Sequence, residues 1–195
     1  EDGSVQIYKV IVVRAKNSNS KLSSIDVKVG DEIISVEDFD PEVYEYTIEV
    51  PEGTLSATLE GTPEVETTTT KFLDSSVIST AGRTQKRIMG IAEDGSNTTY
   101  TVTIVRPASS NSFLSDIKVL DGEDEIGIND FDSETFDYVL NVDNDVKSVV
   151  INGVKESNVA SVYGNGTYYL NTGSNEISIT CEAEDGSSNV YTIRI

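Results

Sequence analysis

Along most of the chain, apolar and polar side chains alternate one by one. Ile117 and Val119 share a face, as do Phe136, Tyr138, Leu140 and Val142, and again Ile177, Ile179, Cys181 and Ala183, with polar or acidic residues between them. Period two is the mark of a strand with one dry and one wet side. No run of ten or more residues carries an apolar stripe at the helical period. Turn residues about every eight to twelve positions divide the pattern into short strands. Asn152-Gly153 and Asn165-Gly166 read as hairpin turns, because Asn-Gly readily takes two positive φ angles. Gly95 and Gly186 would turn the chain between strands, and the Tyr- and Thr-rich stretch from Thr167 to Leu170 suits a strand. A single sheet would leave its apolar side wet, so the expected architecture is all-β: antiparallel β-sandwiches of two packed sheets.

The pattern repeats. Glu-Asp-Gly-Ser stands at residues 1–4, 93–96 and 184–187, and six residues after each aspartate comes a tyrosine, Tyr8, Tyr100 and Tyr191, inside a strand-like phrase. Leu22 to Val29 returns as Leu114 to Leu120, and Phe39 to Val50 as Phe131 to Val142, both at an offset of 92. A unit of that length is a whole small domain rather than one solenoid motif. The expected organisation is a terminal strand of a preceding repeat at 1–14, a first sandwich at 15–107 and a second at 108–195. Short Ser/Asn/Ala/Pro linkers mark the joins at Lys16–Asn19 and Pro107–Asn111. The opening residues, without an initiator Met, fit an excerpt of a longer chain. Tyr100 and Tyr191 are expected to set their rings at the sandwich edge, each hydroxyl finding a backbone partner.

The ordered motifs Leu-x-x-Ile-x-Val, Phe-x-Pro/Ser-x-x-Tyr/Phe-x-Tyr-x-hydrophobic-x-Val and Glu-Asp-Gly-Ser-x-x-x-Tyr-x-hydrophobic-x-Ile together resemble the cadherin-like β-sandwich repeat of bacterial surface proteins. The resemblance implies tandem immunoglobulin-like sandwiches in an extracellular or cell-surface setting. The family pattern also implies an Asn-Gly hairpin and a Gly-x-Asn before the penultimate strand. The second repeat keeps both, as Asn152-Gly153 and Gly173-Ser174-Asn175. The first repeat carries Glu60-Gly61 and Gly82-Arg83-Thr84 instead.

Composition narrows the chemistry. The 195 residues include 34 Asp and Glu, 14 Lys and Arg, no His and one Cys, for a net charge of −20. Without histidine there is no Ser-His-Asp or Cys-His catalysis and no His-ligated zinc. The single cysteine forms no internal disulfide, and a strongly acidic surface opposes nucleic acid and anionic lipid. No apolar run is long enough to span a bilayer, so direct membrane insertion is not expected. The charge divides as 8 basic against 16 acidic residues in 15–107, 4 against 16 in 108–195, and none net in 1–14. That is a solvated surface rather than one focused site.

The remaining chemistry is sparse. Asp121, Glu123, Asp124, Asp143 and Asp145 are candidate oxygen ligands for calcium, although no EF-hand spacing occurs. Paired carboxylates for glycoside hydrolysis would need a cleft that a filled sandwich lacks, so no enzyme is expected. Cys181 shares the parity of Ile177 and Ile179 and reads as a buried small hydrophobe whose acidic neighbours raise its pKa. Lys28 and Lys118 alternate with apolar residues and should face water. Tyr163, Tyr168 and Tyr169 are the candidate ligand surface. Tyr168 and Tyr169 must point to opposite sides of a strand, which exposes one ring. The expected function is a non-catalytic extracellular spacer whose partners are the neighbouring repeats. The alternative is an adhesion module for glycan or host protein. Residues 5–14, almost wholly apolar from Val10 to Val13, are expected to add to an open sheet edge in cis or in trans.

Overall fold

The computed structural model describes residues 3–195, so Glu1 and Asp2 of the first Glu-Asp-Gly-Ser lie outside the described residues. Residues 22–106 form β1 (Leu22–Val29), β2 (Glu32–Ser35), β3 (Glu45–Glu49), β4 (Thr58–Pro63), β5 (Thr69–Phe72), β6 (Gly82–Ile91) and β7 (Asn97–Arg106). Residues 114–194 form β8 (Leu114–Asp121), β9 (Asp124–Glu125), β10 (Asp137–Val139), β11 (Ser148–Lys155), β12 (Ser161–Tyr163), β13 (Gly166–Tyr169), β14 (Glu176–Glu182) and β15 (Ser188–Arg194). In the first set the sheets run β2-β1-β4 and β3-β7-β6-β5, and in the second β13-β11-β8-β9 and β10-β15-β14-β12. The chain divides into two compact units, one of residues 1–48, 56–76 and 85–103, the other of 49–55, 77–84 and 104–195.

The alternation seen in the sequence becomes the core. Leu114, Ile117, Val119, Val149 and Ile151 from one sheet meet Tyr138, Ile177, Ile179, Cys181, Tyr191 and Ile193 from the other. Leu22, Ile25, Val27, Leu59, Ile88, Val102 and Ile104 are the corresponding buried set between residues 22 and 104. The Leu-x-x-Ile-x-Val motif steps by three and then by two, which strict alternation forbids. A register irregularity takes up the extra residue, between Leu22 and Ser24 in the β1–β4 pair and between Val154 and Lys155 in the β11–β8 pair. The leucine and the isoleucine therefore both face inward, as a β-bulge permits.

Each core takes in its repeating tyrosine. Tyr100 and Tyr191 are fully buried, not set at the edge. The Tyr191 hydroxyl donates to Ser133 O at 2.7 Å and accepts from Leu114 N at 3.1 Å. Tyr100 donates to Pro41 O at 3.0 Å and accepts from Leu22 N at 3.3 Å. Each ring packs against two others, Phe39 and Tyr44 for Tyr100, Phe131 and Phe136 for Tyr191. Satisfying the hydroxyl twice is what lets a phenol sit at the centre of an apolar core. Burial raises both phenol pKa values.

Two sequence expectations are corrected. Asn152-Gly153 is no turn: both lie inside β11, paired with Lys118 and Ile117 of β8. A Cβ on Gly153 would stand 2.9 Å from Ile179 Cγ2 and 3.1 Å from Leu114 Cδ1, so the glycine is there for close approach. Asn165-Gly166 joins β12 to β13, which belong to different sheets, so it is a crossover and not a hairpin. The Asn165 side chain accepts from Gly153 N at 2.8 Å, closing that crossover over β11. In the second repeat β10 pairs with β15 in parallel, from Asp137↔Thr192 to Val139↔Arg194, while β14 pairs with β15 antiparallel.

Residues 5–14 adopt no strand and pair with no sheet edge among the described residues, so the cis pairing expected for them is not found. Their counterparts β7 and β15 follow a Gly turn and pair back onto β6 and β14, whereas no described strand stands ahead of residue 5.

Candidate functional site

The Glu-Asp-Gly-Ser turns are built by their aspartates. Asp94 accepts from Ser96 N at 2.9 Å and from Ser96 Oγ at 2.6 Å, with Gly95 at a φ of 94°. Asp185 does the same with Ser187 at 2.8 and 2.6 Å, around Gly186 at 89°. The serine hydrogen bonds hold both carboxyls below their usual pKa range. These carboxylates are committed to shaping the turn.

The preceding glutamates do something the sequence did not reveal. Arg106, the last residue of β7, is 1% exposed and meets Glu184 in a two-pronged pair, Nη1 to Oε2 at 2.6 Å and Nη2 to Oε1 at 2.7 Å. Glu184 also accepts from Ala81 N at 3.2 Å and Ser109 N at 3.4 Å, while Asp185 N donates to Ser109 O at 3.1 Å. The guanidinium hydrogen bonds are the main reason that the Glu184 carboxyl titrates below its usual range. The same device stands 92 residues earlier. Arg14 pairs with Glu93, Glu93 accepts from Asn17 N at 3.1 Å, and Asp94 N donates to Asn17 O at 3.1 Å. The linkers are consequently fixed rather than bare: Ser109 and Ser112 are buried, Asn111 N donates to Ser109 Oγ at 3.3 Å and Phe113 N to Asn111 Oδ1 at 3.0 Å. An arginine six residues after Tyr8 and after Tyr100, and a glutamate opening each Glu-Asp-Gly-Ser, were visible in the repeat, and that recurrence was the signal that could have found the pair.

Lys86 was also missed. It takes a core-facing position in β6, where its ammonium donates to Ser75 O, and burial lowers its pKa. Cys181 is buried as expected, and its thiol contacts Phe113 O at 3.6 Å. Its pKa is raised by burial rather than by acidic neighbours. Lys28 reaches Glu60 at 2.8 Å at the surface.

The calcium candidates fall on separate elements. Asp121 and Asp124 oppose each other where β8 meets β9, with Glu123 in the turn between them. Asp143 and Asp145 lie in the loop after β10, in which Lys147 donates to Asn144 O. Among the described residues no group of three or more His, Cys, Asp or Glu is placed to hold a metal ion.

The three tyrosines part company. Tyr168 packs against the core and its hydroxyl donates to Gly164 O at 2.5 Å, whereas Tyr169, its neighbour on β13, is 85% exposed. Tyr163 is 54% exposed on the edge strand β12, in the other sheet. Beside Tyr163 a groove of about 620 Å³ is walled by Val154, Val162 and Ala160, with Lys155, Ser161 and Asn165 at its margin. Two of the polar side chains there are already engaged, since Lys155 donates to Asn158 O at 2.9 Å and Ala160 O at 2.7 Å, and Asn165 is spent on Gly153. What the groove offers is a ring, aliphatic walls and the hydroxyls of Ser161 and Tyr163.

Paired sheets, a tyrosine centre and a repeated Arg–Glu linker pair define a tandem cadherin-like β-sandwich. The profile of the cadherin-like beta sandwich domain matches residues 22–107 and 114–195, and the chain belongs to that family. Two solved structures are similar. One is titled PcdhgB3 EC1-4, at 10% identity and a TM-score of 0.29. The other is protocadherin gamma B7 extracellular cadherin domains 1-4, at 12% identity and a TM-score of 0.29. Each likeness covers 79% of this chain, which spans about half, 48%, of the matched one. Likeness at that score supports no further inference. No curated protein matches the chain. Among the described residues no helix is long and apolar enough to cross a membrane.

Proposed function

We propose that the chain is an adhesion-type module of a cell-surface protein, binding a protein partner along the β12 edge. The observation that carries this reading is Tyr163, half exposed on an edge strand beside a groove with aliphatic walls, where Lys155 and Asn165 have already spent their hydrogen bonds. A glycan would need free donors and acceptors there, whereas an aliphatic or aromatic side chain needs only the ring and the walls. The spacer function is a second reading, favoured by the buried Arg106–Glu184 pair that ties down residues 106–113. The two roles are compatible. The bacterial parent implied by the sequence resemblance is narrower than the family match and belongs to this proposal alone.

Panning a displayed random peptide library on the immobilised chain tests the reading, with a glycan array run in parallel. Enriched peptides should carry an apolar anchor and lose roughly tenfold or more in affinity on Tyr163→Ala, as a central aromatic contact does. Binding confined to glycans, or peptide binding indifferent to Tyr163→Ala, would overturn it.

A further inference from the structure

Residues 5–14 are aligned position by position with β7. Tyr8, Val10, Val12 and Arg14 correspond to Tyr100, Val102, Ile104 and Arg106. Those four are at most 1% exposed in β7, at the centre of their sheet. In residues 5–14 the same face is open: Tyr8 is 82%, Val10 81% and Val12 88% exposed. The Tyr100 hydroxyl bridges two backbone groups, but that of Tyr8 reaches only the side chain of Gln6. The opposite face, apart from Lys9, is apolar too, with Ile7 and Ile11 where β7 has Thr99 and Thr103, so this segment has more apolar surface to bury than its counterpart.

The linker that follows is already in place. Arg14 is paired with Glu93, and Asn17 with Glu93 and Asp94, in the arrangement that follows the completed strand β7. A linker set as it is after a terminal strand, joined to a strand sequence without a sheet, points to one kind of partner. We propose that residues 5–14 are an insertion strand completing a cadherin-like sandwich whose last-strand position is open. Such a partner presents free edges on its counterparts of β3 and β6. It also offers an apolar interior for Val10 and Val12, and backbone donor and acceptor groups for the Tyr8 hydroxyl, as Leu22 N and Pro41 O do for Tyr100. The inference is independent of the β12 edge.

The test supplies that sandwich. Residues 15–92 are placed directly ahead of Glu1 of the full chain, so that Ala92 precedes Glu1 as it precedes Glu93. Amide hydrogen exchange at residues 8–13 should slow at least about 100-fold relative to the unmodified chain. In a second variant residues 15–106 are placed ahead of Glu1, so the added body carries its own last strand, and residues 8–13 should exchange as in the unmodified chain. Fast exchange at 8–13 in the first variant overturns the proposal, whether or not the added residues fold. So does equal protection in both variants, or protection in the unmodified chain at micromolar concentration, which would show that the strand needs no open sandwich.

Discussion

Tyr191→Phe removes one oxygen from the middle of the second core and leaves the ring in place against Phe131 and Phe136. That oxygen holds Ser133 O at 2.7 Å and Leu114 N at 3.1 Å, and Leu114 is fully buried. Each backbone group left without a partner costs about 1–3 kcal/mol, so the substitution should cost about 2–4 kcal/mol. Against a stability of about 5–15 kcal/mol for a small domain, this is a large fraction. With a urea dependence of about 1–2 kcal/mol per molar for a domain of this size, the midpoint should fall by roughly 1–4 M. The chain has nine Tyr and no Trp, so tyrosine near-ultraviolet circular dichroism reports the transition. Tyr8→Phe is the matched control, because its hydroxyl reaches only an exposed glutamine side chain, and it should move nothing. A Tyr191→Phe protein within about 0.5 kcal/mol of the parent would refute the claim that the hydroxyl satisfies buried backbone groups.

Three more outcomes follow from single contacts. Gly90→Ala should destabilise strongly and lower the thermal midpoint of the first repeat, since a Cβ there would stand 2.2 Å from Ser20 O, a backbone atom that cannot swing aside. Glu184 has a folded pKa below its unfolded one. Its contribution to stability is therefore complete above the ordinary glutamate range and is lost as the pH falls through the folded value. Thermal midpoints measured from pH 7 down to pH 3 should fall more steeply in the parent than in Glu184→Gln, and parallel curves would contradict the pairing. Cys181 should resist a thiol reagent in the native chain and react at once in urea, because it is fully buried and burial raises its pKa. Stoichiometric labelling of the native chain would place the thiol at the surface.

Much of the fold was written in parity. The alternation at Ile177, Ile179 and Cys181 put the thiol in the core, and the three-then-two step of Leu-x-x-Ile-x-Val carried the bulge within the motif itself. Asn152-Gly153 misled because a glycine inside a strand and a glycine in a turn look the same in sequence. Only the approach of Ile179 and Leu114 tells them apart. The tyrosines were read as edge residues because a phenol is costly to bury, and the two backbone groups that offset the cost lie about 58 and 77 positions away in the chain. Arg106 was passed over for the same reason: its carboxylate is 78 residues distant. Of the candidate surface, the opposite orientation of Tyr168 and Tyr169 was legible from strand geometry. The groove beside Tyr163 was not, since β11 and β12 belong to different sheets and meet only in the folded chain.

The most direct test of the adhesion reading is a titration of the isotope-labelled chain with a panned peptide, followed by amide chemical shifts. Shifts concentrated at residues 153–165, around Val154, Val162 and Tyr163, are the predicted result. Shifts concentrated elsewhere, as in the loop at 141–147, or spread thinly over both repeats, would contradict it.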